Sequence, residues 1–437
     1  MKILLVLALA ACGGAPRPFD GMALYRSGHM HELRDRLRTE RAPTPDAQAR
    51  NAILLARTVI DLRVVWDESS FADALAALAT ARPSDPRLVA ELEQATGEVL
   101  FWNHIVAGEG TWDEAGARFA RALELRVAAG DTRGIAESTF YRGLIAQFTT
   151  TTEEAKTLFT RALEIAGGVD DPLLQSYPVR HLADLAESAG DLERADALHR
   201  KALALRERAG DAIRLFNSRL TLAGFLCERM RECEAARPQI EGARRIADEL
   251  KMPHGKVAVA VLEGQLAEWH GDVAARDRAW DRAIELATSA DDTGALALVR
   301  TVRATTRLRA NDAVGAMAEA RAVGSPEGQA LLVQAALLAN DVDTATAALA
   351  AAWTDAPAAP GARLYLAAAA WIAARGEQGR AALEAAKVHY DERACLDAAL
   401  AAARRDHDVR AELDVLIAIG DRVTAQRLAT SAHLPGE

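Results

Sequence analysis

The chain has 437 residues, of which 50% are hydrophobic and only 5% aromatic, and its formal net charge is −10. The apolar content is therefore mostly Ala and Leu, which favour helices. A charged fraction of 26% is ordinary for a folded protein and excludes extensive disorder. The negative charge argues against nucleic acid as a partner, because phosphate binding requires clustered Lys and Arg.

The N-terminus has the features of a secretory signal. Lys2 precedes an apolar run from Ile3 to Ala11, which is too short to span a bilayer, and small residues come before Cys12. Residues 9–12, Leu-Ala-Ala-Cys, resemble the bacterial lipobox. This reading predicts a signal peptide over 1–11, lipidation at Cys12 and a tether over 12–18, with membrane contact through the lipid only. The alternative is a chance apolar start on a cytoplasmic protein.

A repeated pattern extends through the rest of the chain. In its clearest copies a turn residue is followed by a small residue five positions later, a large one after nine and a second small one after twelve. These offsets keep the three positions on one helical face. The first eight turn positions are 40 or 41 residues apart, and the last three are less regular. The predicted turns are Gly28, Ser69, Gly110, Thr150, Gly190, Arg231, Gly271, Asn311, Asn340, Gly376 and Gly420.

This pattern resembles the tetratricopeptide repeat. The matching residues are small ones that let helices approach closely and large ones that fill the adjacent gap. The resemblance implies an all-α fold, a right-handed α-solenoid of about eleven antiparallel helix pairs. The first small position is matched by Ala115, Ala155 and Ala195, the large one by Phe119, Phe159 and Trp280, the second small one by Ala122, Ala162, Ala202 and Ala283, and the small position of the first helix by Gly143, Gly224 and Gly264.

The period departs from the family's usual 34 residues. The second helix of each pair is expected to run about six residues further, roughly 9 Å at 1.5 Å per residue, and to end at Gly130 and Gly210 as C-caps. Pro and Gly mark breaks at 323–328 and 354–361. We therefore expect a regular repeat array over 19–323 and a less regular, Ala-rich array over 324–437, in one continuous solenoid.

Motifs for catalysis or cofactor binding are absent from the sequence. It contains no phosphate loop, dinucleotide fingerprint, His-Glu-x-x-His pattern or nucleophile elbow. His29 and His31 point in divergent directions on a helix, which does not suit a metal site. The carboxylate pairs 153–154 and 291–292 fall at expected helix starts, where acidic residues are stabilising. The sequence predicts no catalytic residue, no cofactor and no metal.

The cysteines leave two readings open. Cys227 and Cys233 lie on either side of the turn at Arg231, where a helical hairpin can bring them together. A disulfide requires suitable geometry and an oxidising compartment. The other reading is that both pack as small hydrophobic residues in the core of the hairpin.

The resemblance also implies a binding surface. In that family the first helix of each pair lines a concave groove, with exposed positions two, three, six, ten and thirteen residues before the turn. Such a surface suits an extended peptide, and aromatics and Arg are frequent at interaction hot spots. Transferring these offsets to three central pairs predicts a partner-binding groove of Tyr177, Arg180, Asp184, Glu187, Phe225, Glu228, Arg229, Gln265, Glu268 and Trp269. The same offsets give Ser188, Ser218, Thr221, Ala258 and Val261.

The sequence therefore favours a non-enzymatic scaffold, lipid-anchored in the periplasm or outer membrane, that binds a protein or peptide in its groove. The excess of carboxylates predicts a partner segment of neutral to basic charge. The alternative, of a different class, is a cytoplasmic regulatory or sensor module built from the same repeats.

Overall fold

A computed structural model of the chain describes residues 20–40, 42–66, 69–355, 396, 400, 403–404, 409–419 and 421–431. Over these residues the protein is built from helices, without strands, as the sequence predicts. In chain order the helices are α1 (Gly21–Ser27), α2 (Met30–Thr39), α3 (Pro45–Trp66), α4 (Phe71–Thr80), α5 (Pro86–Ala107), α6 (Trp112–Ala128), α7 (Thr132–Thr149), α8 (Thr152–Gly167), α9 (Pro172–Ser188), α10 (Leu192–Ala209), α11 (Ala212–Glu228), α12 (Cys233–Glu249), α13 (Pro253–Trp269), α14 (Val273–Ser289), α15 (Thr293–Arg309), α16 (Ala313–Val323), α17 (Pro326–Leu338), α18 (Val342–Asp355), α19 (Val409–Ile419) and α20 (Arg422–Ser431).

The helices form consecutive pairs in which each odd-numbered helix is the first and the next is the second. The packing within pairs is most extensive in α5–α6, α7–α8 and α13–α14. The fold is thus an all-α array of helix pairs of the tetratricopeptide type. Ten of the expected pairs lie in the described part of the chain. The remaining one, around Gly376, lies outside it.

The predicted turns are confirmed by the backbone. Among the predicted positions that the structure describes, all but one have positive φ, the left-handed conformation that allows a helix to end and the chain to reverse. They are Gly28, Ser69, Gly110, Gly190, Arg231, Gly271, Asn311 and Asn340. The exception is Thr150, which ends α7 with φ of −130°.

The junctions between pairs also follow the prediction. Gly130 and Gly210 have φ of 64° and 66° and stand just after α6 and α10, so both act as C-terminal caps. The next helix is then capped at its start by an aspartate. Asp131 accepts a hydrogen bond from the Gly134 amide at 3.0 Å. The long second helices therefore end and restart as the sequence indicates.

The core lies along the seams between paired helices. Ala115, Phe119 and Ala122 in α6 are fully buried, as are the equivalent residues of α8. In α14, Trp280 is 2% exposed, and its indole N–H donates a hydrogen bond to the Val261 carbonyl at 3.2 Å. The assignment of small and large core positions is confirmed.

The small position in the first helix is confirmed at two of the three predicted residues. A Cβ added at Gly143 would lie 2.7 Å from the Phe159 ring, which is too close for two carbon atoms. A Cβ added at Gly264 would overlap the Trp280 ring. At Gly224, however, such an atom would meet nothing within 4 Å. The residue at the aromatic position of that pair is Ile240. Close approach is therefore not the reason for Gly224.

Gly264→Ala is expected to destabilise the protein by roughly 1–3 kcal/mol, because the added methyl group overpacks the contact with Trp280. Gly224→Ala is the matched control, and should be neutral or stabilising by up to about 1 kcal/mol through higher helix propensity. Thermal unfolding followed by circular dichroism measures both. Equal melting temperatures for the two variants would contradict the close packing at Gly264.

The chain forms two compact units. The first comprises Met1–Gln175 with Arg206–Leu215, and the second comprises Ser176–Leu205 with Phe216–Glu437. The predicted break at 323–328 is a helix junction inside the second unit, where α16 ends, Gly324 has φ of 67° and α17 begins at Pro326. The boundary predicted at 323–324, between the regular and the less regular array, therefore falls at a helix junction.

Candidate functional site

A polar strip follows the C-terminal ends of the first helices in the second unit, and it contains most of the predicted groove residues. We call it the first-helix strip. Its members lie near the ends of α9, α11 and α13, two, three or six residues before the turn, and are Glu187, Glu228, Arg229, Gln265, Glu268 and Trp269.

Successive first helices are linked through this strip. Glu187 forms an ion pair with Arg229 at 3.3 Å. The Gln265 amide donates a hydrogen bond to Glu228 at 2.8 Å. The Thr306 hydroxyl of α15 contacts Glu268 at 3.4 Å. Since each contact joins one helix pair to the next, the strip extends over three successive repeats and is tied to the fourth through Thr306, which is itself buried.

The electrostatic balance of the strip is negative. Glu187 neutralises Arg229, and one turn back in α9 Arg180 pairs with Asp184 at 3.3 Å. Glu228 and Glu268 instead accept hydrogen bonds from uncharged groups, and neither has a cationic partner among the described residues. The strip therefore presents two carboxylates that are available to an incoming cation.

Trp269 gives the strip an apolar contact point. Its side chain is 49% exposed at the end of α13, directly after Glu268. A half-exposed indole beside a carboxylate can hold an aliphatic side chain or a Lys or Arg head group. Tyr177, also among the predicted groove residues, is half-buried near the start of α9.

The prediction was wrong for Phe225, which is 4% exposed and packs against the His199 ring with centroids 5.0 Å apart. Asp184 and Gln265 occupy the equivalent repeat position and remain half-exposed. That position lies at the edge of the helix interface, so a polar side chain stays at the surface and an aromatic one turns inward. Two further offset positions, Ser218 and Val261, are buried as well.

Cys227 and Cys233 form a disulfide bond across the turn at Arg231, with Cα atoms 4.0 Å apart. Both residues are buried. The bond links the end of α11 to the start of α12, next to Glu228 and Arg229. The bond therefore fixes the hairpin that carries the middle of the strip. Of the two alternatives that the sequence left open for these cysteines, the structure shows the disulfide.

The first unit contains a buried ionic network that the sequence analysis missed. Its centre is Arg126 of α6, whose side chain is 1% exposed. The guanidinium donates to Glu137 at 2.6 Å, and to the Ser138 hydroxyl and the Gly134 carbonyl at 2.7 and 2.9 Å. It also reaches Gln94 of α5 at 3.1 Å. One side chain thus ties α5, α6 and α7 together.

Arg57 extends this network into α3. Its guanidinium forms two hydrogen bonds with Glu98, at 3.0 and 3.1 Å, and one with Glu137 at 3.3 Å. Burial by itself would raise the pKa of Glu137. The positive charges of Arg57, Arg126 and Arg133 outweigh it and lower that pKa from 4.5 to about 2. Glu137 is therefore ionised in the folded protein, and the network is charged throughout.

A second buried pair joins residues far apart in the sequence. Arg214 of α11 donates to Asp61 of α3 at 2.7 Å and to the Tyr25 hydroxyl of α1 at 3.0 Å. Burial raises the pKa of Asp61, and the opposing effect of Arg214 offsets it only in part. Within the first unit, the pair therefore ties the segment around Arg214 to α1 and α3, at a desolvation cost.

The sequence contains one indication of the buried charges of the first unit, an arginine that recurs at the same repeat position. Arg126 and Arg206 stand 80 residues apart at equivalent repeat positions, near the ends of second helices, and both are buried. Each donates to a carbonyl eight residues later, Gly134 or Arg214. An arginine recurring at a position where the helix faces its neighbours is a signal of a buried charge.

Acidification tests the charge of Glu137. Because its folded pKa is below its unfolded value, its contribution to stability is full above about pH 4.5 and disappears as the pH falls toward 2. The contribution is on the order of 3 kcal/mol. Urea unfolding over this pH range should therefore show the wild type losing its advantage over Glu137→Gln. A difference that stays constant with pH would contradict the assignment.

The other titratable groups singled out in the sequence have structural contacts. His29 contacts the Ser27 hydroxyl at 2.8 Å, and the His31 ring lies edge-on to Trp66. Asp292 caps α15, and Glu153 and Glu154 lie in the first turn of α8. Among the described residues, no group of His, Cys, Asp and Glu is arranged to hold a metal ion.

The predicted signal peptide, Cys12 and the tether over 12–18 lie outside the described residues. Within the part that is described, none of the helices combines the length and the apolar character needed to cross a bilayer.

No family model matches the sequence, and no curated protein does. Solved structures do match. A Rap protein complexed with competence and sporulation factor is 14% identical, with 94% of this chain and 96% of that chain covered and a TM-score of 0.50. Aspartyl phosphate phosphatase F from Bacillus subtilis is 14% identical, with coverages of 76% and 91% and a TM-score of 0.47. At this level of identity the similarity shows the fold.

Proposed function

We propose that this protein is a non-enzymatic scaffold that binds a segment of another protein along the first-helix strip. The observation that carries the proposal is the chain of contacts from Glu187 to Arg229, Glu228 to Gln265, and Glu268 to Thr306. In each contact, the glutamate three residues before the turn links its repeat to the next one. An extended peptide, which needs polar contacts at regular spacing, fits such a surface better than a small metabolite.

The similar fold of the Rap protein, whose structure was solved with competence and sporulation factor, is consistent with a peptide as the partner. The charge of the strip defines the chemistry further. Glu228 and Glu268 have no cationic partner in the part of the chain that the structure describes, and one indole is exposed, so the strip favours a partner segment that carries Lys or Arg. We therefore expect the affinity to weaken as the salt concentration rises.

The test is capture of the partner by strip variants. Replacing Glu228, Glu268 and Trp269 together by Ala should abolish capture of the main partner. The matched control replaces Glu193, Glu285 and Val273 by Ala, which removes the same charge from exposed positions of second helices. The control should retain the partner fully. Full retention by the strip variant, or equal loss in both, would contradict binding at the strip.

We also propose that the protein is lipid-anchored in the cell envelope through Cys12. Two features support this location: the lipobox-like sequence before Cys12, and the Cys227–Cys233 disulfide, since such bonds persist in oxidising compartments. Metabolic labelling with a fatty acid should mark the wild type and leave Cys12→Ser unlabelled. Absence of label on the wild type would favour the cytoplasmic regulatory module instead.

A further inference from the structure

The first unit exposes an aromatic and aliphatic patch at the turn between α5 and α6 and at the end of α7. We call it the turn patch, and its members are Ile105, Val106, Trp112 and Phe148. Phe148 is 52% exposed, and Ile105 and Val106 are 41% and 38% exposed. None of these residues belongs to the first-helix strip.

The two aromatic members of the patch are held together by ring stacking. Trp112 lies flat on Phe148, with ring centroids 5.0 Å apart and planes 5° from parallel. Phe101 supports both rings from below, at 5.5 and 6.2 Å, and is itself 3% exposed. His104 packs against the edge of Trp112, and its ring is fixed by contact with the Gly110 carbonyl at 3.0 Å. The exposed face is therefore pre-organised and does not have to be ordered on binding.

The surroundings of the patch are acidic. The two chain segments that form it, 105–115 and 144–155, contain five carboxylates and no Lys or Arg. All five lie at exposed positions. They are Glu109, Asp113, Glu114, Glu153 and Glu154. The nearby Lys156 pairs with Glu153 at 3.5 Å. The segments that carry the patch are therefore net negative, which favours a positively charged partner.

We propose that the turn patch is a second docking site, for a segment of another protein that carries an aromatic or branched aliphatic side chain flanked by Lys or Arg. The apolar side chain would cover the Trp112–Phe148 stack, and the cations would meet Glu109 and Asp113. Contiguous exposed apolar surface bordered by polar groups is typical of interaction sites.

The charges disfavour the other occupants. A second copy of this chain placed on the same patch by a two-fold axis would bring two acidic borders together. A bilayer surface rich in anionic lipid would be repelled by the same carboxylates. A basic partner segment is attracted by the border and buries the apolar centre.

The test uses fluorescence anisotropy with a pair of short synthetic peptides. Both carry a central Leu-Phe-Leu sequence, flanked by Lys in one and by Glu in the other. The full-length protein should bind the Lys peptide at least about tenfold more tightly than the Glu peptide. Ile105→Ser with Phe148→Ser should weaken this binding by about tenfold or more. The control, Val273→Ser with Leu298→Ser, also removes exposed apolar side chains and should leave it unchanged.

A charge reversal makes the test independent of the apolar substitutions. Glu109→Lys with Asp113→Lys leaves the stack intact and should shift the preference toward the Glu peptide. The proposal is overturned if wild type binds the two peptides equally, or if the reversal leaves the preference unchanged. It is also overturned if the patch substitutions instead abolish binding to phosphatidylcholine vesicles or self-association of the wild type. Because the strip variants leave these residues intact, failure here is distinguishable from failure of the strip.

Discussion

Arg126→Ala is expected to lower the free energy of unfolding by about 3–5 kcal/mol, as is usual when one partner of a buried ion pair is removed. The substitution leaves Glu137 as a buried carboxylate without its 2.6 Å partner, and leaves Gln94 and the Gly134 carbonyl without their donor. Water cannot easily replace the lost donor, since the side chain is 1% exposed.

Arg118→Ala provides the matched control on the same helix. Arg118 pairs with Glu93 at 2.8 Å, but its side chain is 48% exposed. Exposed pairs contribute only about 0–1 kcal/mol. Urea unfolding, with hydrogen exchange of α5, α6 and α7 as the local measure, compares the variants. Similar losses from both would mean that Arg126 is accessible to solvent and that the network is not buried.

Phe119→Ala is expected to cost about 3–5 kcal/mol by opening a cavity between α5 and α6. Phe119 is fully buried at the seam of the pair, where Gly97 leaves space for the ring. Phe148→Ala is the control, because that ring is 52% exposed and loses mainly its stacking on Trp112. Its cost should be about 0.5–1.5 kcal/mol. If Phe148→Ala proved the more damaging, the assignment of the aromatic core position would be wrong.

The repeat could be predicted because its signals are local. Arg231 and Asn311 have the positive φ that ends a helix, although neither is a glycine. Their turns could still be predicted, because both stand at the positions that the repeat period of 40 or 41 residues assigns to a turn. The same holds for Ala115 and Phe119, whose burial follows from their offset to the turn. These features depend on neighbours within one helix pair, which the period defines.

The repeat spacing could not predict the features that depend on which side chains contact each other across helices. Phe225 and Gln265 share a repeat position, yet one is buried and the other forms part of the strip, because a position at the edge of an interface follows the polarity of its occupant. Asp61 and Arg214 are 153 residues apart, and no local period predicts that contact. The positions of the first-helix strip could therefore be predicted in outline, and the ionic network could not.

The central claim is that a partner lies across the first helices of the second unit. Hydrogen–deuterium exchange of the protein, alone and with the partner recovered by capture, tests this most directly. We expect slowed exchange at the C-terminal ends of α9, α11 and α13, with α12 and α14 unchanged. Protection confined to α12 and α14, or to the turns between pairs, would contradict binding at the first-helix strip.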